Sequence, residues 1–271
     1  MVSKVLSALV AAACTVLLMV TCTASTQLLP VVPVATVPDP PPPEPPPVIL
    51  PYDFSLPVPQ SEPVSPDYFD DAAFVGDSRT DGFCLFSGVG GGDNLTATGL
   101  SVFSLSTKQA IKTDTGTVTV LEALEHKTYG KVYLSLGVNE LGYNNNDSFY
   151  TAYCAAIDAI RARQPDAIIY VQTLIPLNEA RIRATGGASY LNNNKLYVYN
   201  DIIRRVAQEK QVPLLDLYSA FAADGQLPED FSRDGIHLTA AHYSIQLDYF
   251  KTHTVSREQL NATGQSVEVL I

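Results

Sequence analysis

Cysteine and positive charge are both scarce in this chain of 271 residues. Of its four cysteines, Cys14 and Cys22 lie in the apolar N-terminus, which leaves Cys84 and Cys154 for everything else. Two thiols make neither a disulfide framework nor a zinc site. The 17 lysines and arginines are outnumbered by 28 aspartates and glutamates, for a formal net charge of −11. A surface that acidic repels phosphate backbones and anionic headgroups, so nucleic acid is not an expected partner. No internal repeat is present, and no Gly-x-Ser-x-Gly run, so the strained strand-to-helix elbow that such a run builds is not expected. What the chain does have is core-forming material: 46% of its residues are hydrophobic and only 17% are charged, the balance of a mostly folded protein.

The first 25 residues read as an export segment. Lys4 supplies a positive start, residues 5–20 are almost wholly apolar, and small and polar residues follow. About 16 apolar residues are marginal for crossing a ~30 Å hydrocarbon core. Cleavage at the small-x-small stretch Cys22-Thr23-Ala24, lipidation at Cys22, and retention as a membrane tether all fit this pattern. An extracytoplasmic location is expected in each case, with the protein secreted or held at a bacterial cell surface. Residues 26–66 read as a linker, because fifteen of the nineteen prolines fall between Pro30 and Pro66. That density favours polyproline II and blocks helix and sheet. Some 40 residues at about 3.1 Å each reach at most roughly 120 Å, enough to hold residues 67–271 away from a membrane.

From Asp67 onward, short apolar runs alternate with amphipathic segments. Strands are expected at 72–75, 95–97, 132–136, 168–175 and 212–217, and helices at 119–127, 148–163, 190–210 and 238–250. Tyr150, Tyr153, Ile157 and Ile160 recur at helical spacing, with Asp147 as a candidate N-cap. Residues 252–271 carry no clear pattern, and 267–271 read equally as an edge strand or a tail. Strands alternating with helices imply parallel pairing through right-handed crossovers, hence a three-layer α/β/α sandwich.

Active sites in open parallel sheets lie beyond the carboxyl ends of the strands. Those ends carry Gly76-Asp77-Ser78, then Gly99, then Gly137-Val138-Asn139-Glu140, and finally Asp234-Gly235-Ile236-His237. In that order, over about residues 70–250, the blocks resemble those of the SGNH/GDSL hydrolases. The resemblance implies a flavodoxin-like parallel five-stranded sheet and metal-free, cofactor-free ester hydrolysis. It makes Ser78 the nucleophile, which needs a base to take its proton. His237 suits that task, and Asp234 can accept a hydrogen bond from the far ring nitrogen. The resemblance assigns the oxyanion hole to the backbone N–H groups of Ser78 and Gly99 and to the Asn139 amide.

The expectation is therefore a monomeric serine esterase acting on a small acyl ester or an acetylated glycan, such as a cell-wall or dietary polysaccharide. An O-acetyltransferase of the same fold and a non-catalytic surface binding domain are the alternatives. Each motif also has a plainer role. Asp77-Ser78 and Asp234 can cap helices, Gly99 can ease a strand exit, and Asn139 can serve a turn. Arg79 is expected to face solvent, with contact to an acidic substrate group as the alternative. Gly88 and residues 90–92 form either a lid near the rim or a surface loop. Cys84 and Cys154 are expected to stay free on opposite faces of the sheet.

Overall fold

The computed structural model describes residues 51–262. The apolar N-terminus, residues 26–50 of the proline-rich stretch and residues 267–271 lie outside the described residues. The elements run β1 (Ala72–Gly76), α1 (Ser78–Phe86), β2 (Asp93–Thr96), β3 (Ile111–Thr113), β4 (Gly116–Val118), α2 (Val120–Ala123) and β5 (Lys131–Ser135). They continue with α3 (Asn146–Arg163), β6 (Ile168–Gln172), α4 (Glu179–Ala184), α5 (Asn193–Lys210), β7 (Leu214–Leu215), α6 (Leu217–Phe221), α7 (Tyr243–Thr252) and α8 (Arg257–Ala262). Five strands form a parallel sheet in the order β2-β1-β5-β6-β7, and β3 and β4 form a separate antiparallel hairpin.

Alternation along the strands divides the core in two. Ala73, Val75, Val132, Leu134, Ile169, Val171 and Leu214 point to one face, where α2, α3 and α5 pack. Phe74, Tyr133, Tyr170 and Leu215 point to the other, against α1, α6 and α7. The helices present matching stripes. Phe149, Tyr153, Ile157 and Ile160 of α3 are fully buried, as are Leu196, Tyr199, Ile203 and Val206 of α5. On α3 the stripe therefore begins at Phe149, while Tyr150 is only half-buried and its hydroxyl donates to Glu209. Cys84 and Cys154 belong to the two opposite cores and are free, each partly buried.

Several boundaries differ from the sequence reading, each for a local reason. Asn145, not Asp147, caps α3: its side chain accepts from the Ser148 N–H at 2.9 Å. The helix expected over 119–127 spans only α2, opened by a Thr119–Glu122 capping box. The run 212–217 yields a two-residue strand, because Asp216 caps α6. The last long helix starts at Tyr243 and not at Leu238, since Leu238 bridges Ser232 and Thr239 N donates to Phe231 O at 2.8 Å.

The proline-rich stretch is not a spacer as far as residue 66. Residues 51–66 lie along the domain: Pro57 bridges Leu214, the Val58 N–H donates to Leu214 O at 2.8 Å, and Tyr52 and Val58 are buried. Apolar side chains between the prolines give this part somewhere to bind.

The strand order also places the site. From β1 the chain steps one way to β2, then crosses back over β1 to β5. At such a switch point neighbouring loops part and leave a crevice at the carboxyl ends. The segments leaving β1, β2 and β5 carry Ser78, Gly99 and Asn139.

Candidate active site

Ser78 is the first residue of α1 and is half-buried at the mouth of the sheet. Asp77 before it is the N-cap, with Oδ1 accepting from the Arg79 N–H at 2.9 Å. The turn has no room to spare: a Cβ on Gly76 would fall 2.0 Å from Thr80 Oγ1 and 2.8 Å from Ser135 O. Thus Gly76 permits the close passage that aims the Ser78 hydroxyl outward at a helix N-terminus, where the peptide dipoles favour negative charge.

His237 arrives on a loop closed by the Ser232–Leu238 bridge. Its Nε2 lies 2.8 Å from Ser78 Oγ, and its Nδ1 lies 2.7 Å from Asp234 Oδ2. Asp234 organises the loop as well. Its Oδ1 accepts from Ile236 N at 2.8 Å, His237 N at 2.9 Å and Ser232 Oγ at 3.1 Å. Burial alone would raise the Asp234 carboxyl, but the His237 ring, the two backbone N–H groups and the His237 charge outweigh it and hold it at about 2. Gly235 in this loop has φ +86 and lies against Asn178 O and Ile182, a conformation and a gap that admit no side chain.

Across the crevice, Gly99 is exposed with φ +65 and Asn139 is exposed after β5. The Asn139 amide donates to Asp77 Oδ2 at 3.1 Å and to Leu100 O at 3.0 Å, which ties the loops after β1, β2 and β5 together. Glu140 reinforces the tie: it is 3% exposed, and its Oε1 accepts from Val102 N at 2.7 Å. Burial pushes its carboxyl up to about 7, with the Asp77 charge adding to the rise. Its folded value lies above the ordinary 4.5, so the folded state keeps a proton that the unfolded chain gives up first. The stability this brings is complete below about pH 4.5 and is lost as pH rises through about 7. Urea unfolding across that window should show a downward slope in wild type that Glu140→Gln flattens; an identical slope in both would contradict the assignment.

Residues 74–245 match the GDSL-like Lipase/Acylhydrolase family. The chain belongs to that family. It is, accordingly, a serine ester hydrolase. Two solved structures share the fold of this GDSL-like hydrolase. One, from Streptococcus pneumonia and provisionally described as a platelet activating factor, has 22% identity and a TM-score of 0.55, and the match covers 68% of this chain and 83% of that one. The other, a provisionally assigned GDSL-like lipase from Parabacteroides merdae ATCC 43184, has 16% identity and a TM-score of 0.51, with 77% and 99% covered. No curated protein matches the sequence.

Two sequence expectations about the GDSL-like site are corrected. Arg79 does not face solvent. It is 8% exposed, and its Nη1 donates to Ile175 O at 3.0 Å. Burial pulls its guanidinium below the usual range, while the charges of Asp77, Tyr243 and Asp234 around it act in the opposite sense. Its Nε and Nη2 are buried without a hydrogen-bond partner among the described residues. The glycines at 88 and 90–92 do not form a lid. They connect the end of α1 to the start of β2, and in a parallel sheet that is the edge opposite the site. Gly91 and Gly92 lie against Asp70, Phe69 and Ala72, which lead into β1.

Proposed function

We propose that this GDSL-like hydrolase is an extracytoplasmic esterase that removes short acyl groups, acetyl foremost, from glycans through an acyl-enzyme on Ser78. The observation that carries the reading is the unbroken hydrogen-bonded line from the Ser78 hydroxyl through both His237 nitrogens to Asp234. In this mechanism His237 takes the Ser78 proton as Oγ bonds to the ester carbonyl carbon. The tetrahedral oxyanion then collapses, the carbon–oxygen bond to the alcohol breaks, and His237 returns the proton to the departing oxygen. Water repeats the sequence, with His237 as base, and releases the acid and the free serine.

The oxyanion faces the Ser78 and Gly99 N–H groups and the Asn139 amide. Both amide hydrogens of Asn139 are engaged in the resting site, so one must turn from Asp77 or Leu100 toward the developing charge. Donors of this kind each lower the barrier by about 2.7–4 kcal/mol. Asn139→Ala should therefore lower kcat by about 10²–10³-fold with little change in KM. A loss appearing only in KM, or no loss, would remove Asn139 from the oxyanion hole.

The apolar segment at 5–20 and the prolines after it support placement outside the cytoplasm, where acetylated polysaccharides are found. Acetate release from acetylated glycans, set beside longer-chain p-nitrophenyl esters, tests the substrate. Activity confined to long acyl chains would overturn the acetyl reading.

A further inference from the structure

The proton path of the reaction fixes where each half of the ester lies. The departing alcohol oxygen must take its proton from His237 Nε2, so the alcohol half extends over the His237 side of Ser78. A cavity of about 390 Å³ opens on that side, lined by the apolar Phe86, Leu238 and Ala240 and by His237, Asp234 and Arg233. It adjoins a second cavity of about 590 Å³ that Arg233 also lines.

Arg233 has no ion pair and no hydrogen bond among the described residues. Arg181, Arg183, Arg204 and Arg205 each hold a carboxylate. The adjacent Asp234 makes no direct ion pair with it, and its oxygens accept from Ser232, Ile236 and His237 instead. Its backbone neighbours are fixed by the Ser232–Leu238 bridge, so the exposed guanidinium is carried on a held loop. In the outer cavity Glu229 pairs with Arg181 at 2.9 Å and Asp230 has no ion pair among the described residues, whereas the carboxylate of the inner cavity, Asp234, is paired with His237.

We propose that Arg233 binds a negative charge on the alcohol half of the substrate, so that the preferred esters are those of acidic alcohols, such as sugars bearing a carboxylate or phosphate. A planar guanidinium offers paired N–H donors to either group, and a charge-assisted pair of this kind is stronger than a neutral contact. The proposal rests on the assignment of Ser78 and His237 above.

The test compares three acetate esters of similar shape: 3-acetoxybenzoate, 3-acetoxyphenyl phosphate and the uncharged 3-acetoxybenzamide. Wild type should favour one or both anionic esters over the amide by roughly tenfold in kcat/KM, the size of one charge-assisted contact. The arm that gains more identifies carboxylate or phosphate. Arg233→Gln should bring the anion-to-amide ratio near one, Arg233→Glu should invert it, and Arg233→Lys should keep only part of it, as a charge without paired donors. A fold defect would lower all three rates together and leave the ratio standing, so the ratio alone reports the contact. Turnover of the amide with no anion preference in wild type, or the same preference in Arg233→Gln, would overturn the subsite and leave the esterase intact. Failure of wild type to cleave any of the three or p-nitrophenyl acetate would overturn the ester reading and this proposal with it.

Discussion

Ser78→Ala should lower kcat for p-nitrophenyl acetate by on the order of 10⁴–10⁶-fold, the scale of losing a nucleophile whose partners act only through it. The geometry isolates the effect. Among the described residues the Ser78 hydroxyl has one hydrogen-bond partner, His237 Nε2 at 2.8 Å, so its removal leaves the helix cap, the sheet and the His237 loop in place. The melting temperature should therefore stay close to that of wild type, while the pre-steady-state burst of p-nitrophenolate disappears. An unchanged turnover rate would end the assignment of Ser78, and with it the acyl-enzyme.

Asp234→Asn should cost about 10⁴-fold in kcat, by analogy with what an amide in this position does to other serine–histidine pairs. The carboxylate now accepts from His237 Nδ1 at 2.7 Å, which leaves Nε2 free to take the serine proton. An asparagine offers an N–H there and favours the tautomer whose proton already sits on Nε2, facing Ser78. It also removes the charge that stabilises the imidazolium. Because its interactions hold Asp234 at about 2, it stays ionised throughout the range in which an esterase is assayed. Any fall in wild-type activity on mild acidification therefore belongs to another group, and the variant should lose rate at every pH. A kcat within tenfold of wild type would mean that Asp234 only shapes the loop.

The parts of this site legible in the sequence are those where chemistry and chain order coincide. Gly76-Asp77-Ser78 and Asn139 stand at the ends of apolar runs, and a parallel sheet has only one edge at which such ends can meet, while Asp234-x-x-His237 is marked by its own spacing. Less legible is whatever depends on residues distant in the chain. Nothing around Arg79 in the sequence shows that the distant Ile175 carbonyl, Asp234 and Tyr243 bear on it, and an arginine early in a helix ordinarily faces water. The glycines at 88–92 look like a lid until the length of α1 carries them to the far edge. The β3–β4 hairpin has strands of only three residues, too short for alternation to register. In the cap of α3, Asn145 and Asp147 have equally suitable side chains, and only the backbone decides between them. The segment 51–66 was hidden by its prolines, although Tyr52 and Val58 carried the apolar signal.

That segment has a bearing on solubility. A final strand such as β7 presents an unsatisfied row of peptide groups to any other extended chain, and self-association through such margins is a standing hazard of sheets. Here the row is occupied by Pro57 and Val58, the latter spending its N–H on Leu214. Pro57 and Pro59 on either side of Val58 have no N–H to offer outward, so the bridged segment is a poor template for a further strand. A chain trimmed back to Asp67 would keep every group that performs chemistry, yet would bare Leu214 and Leu215 to its neighbours.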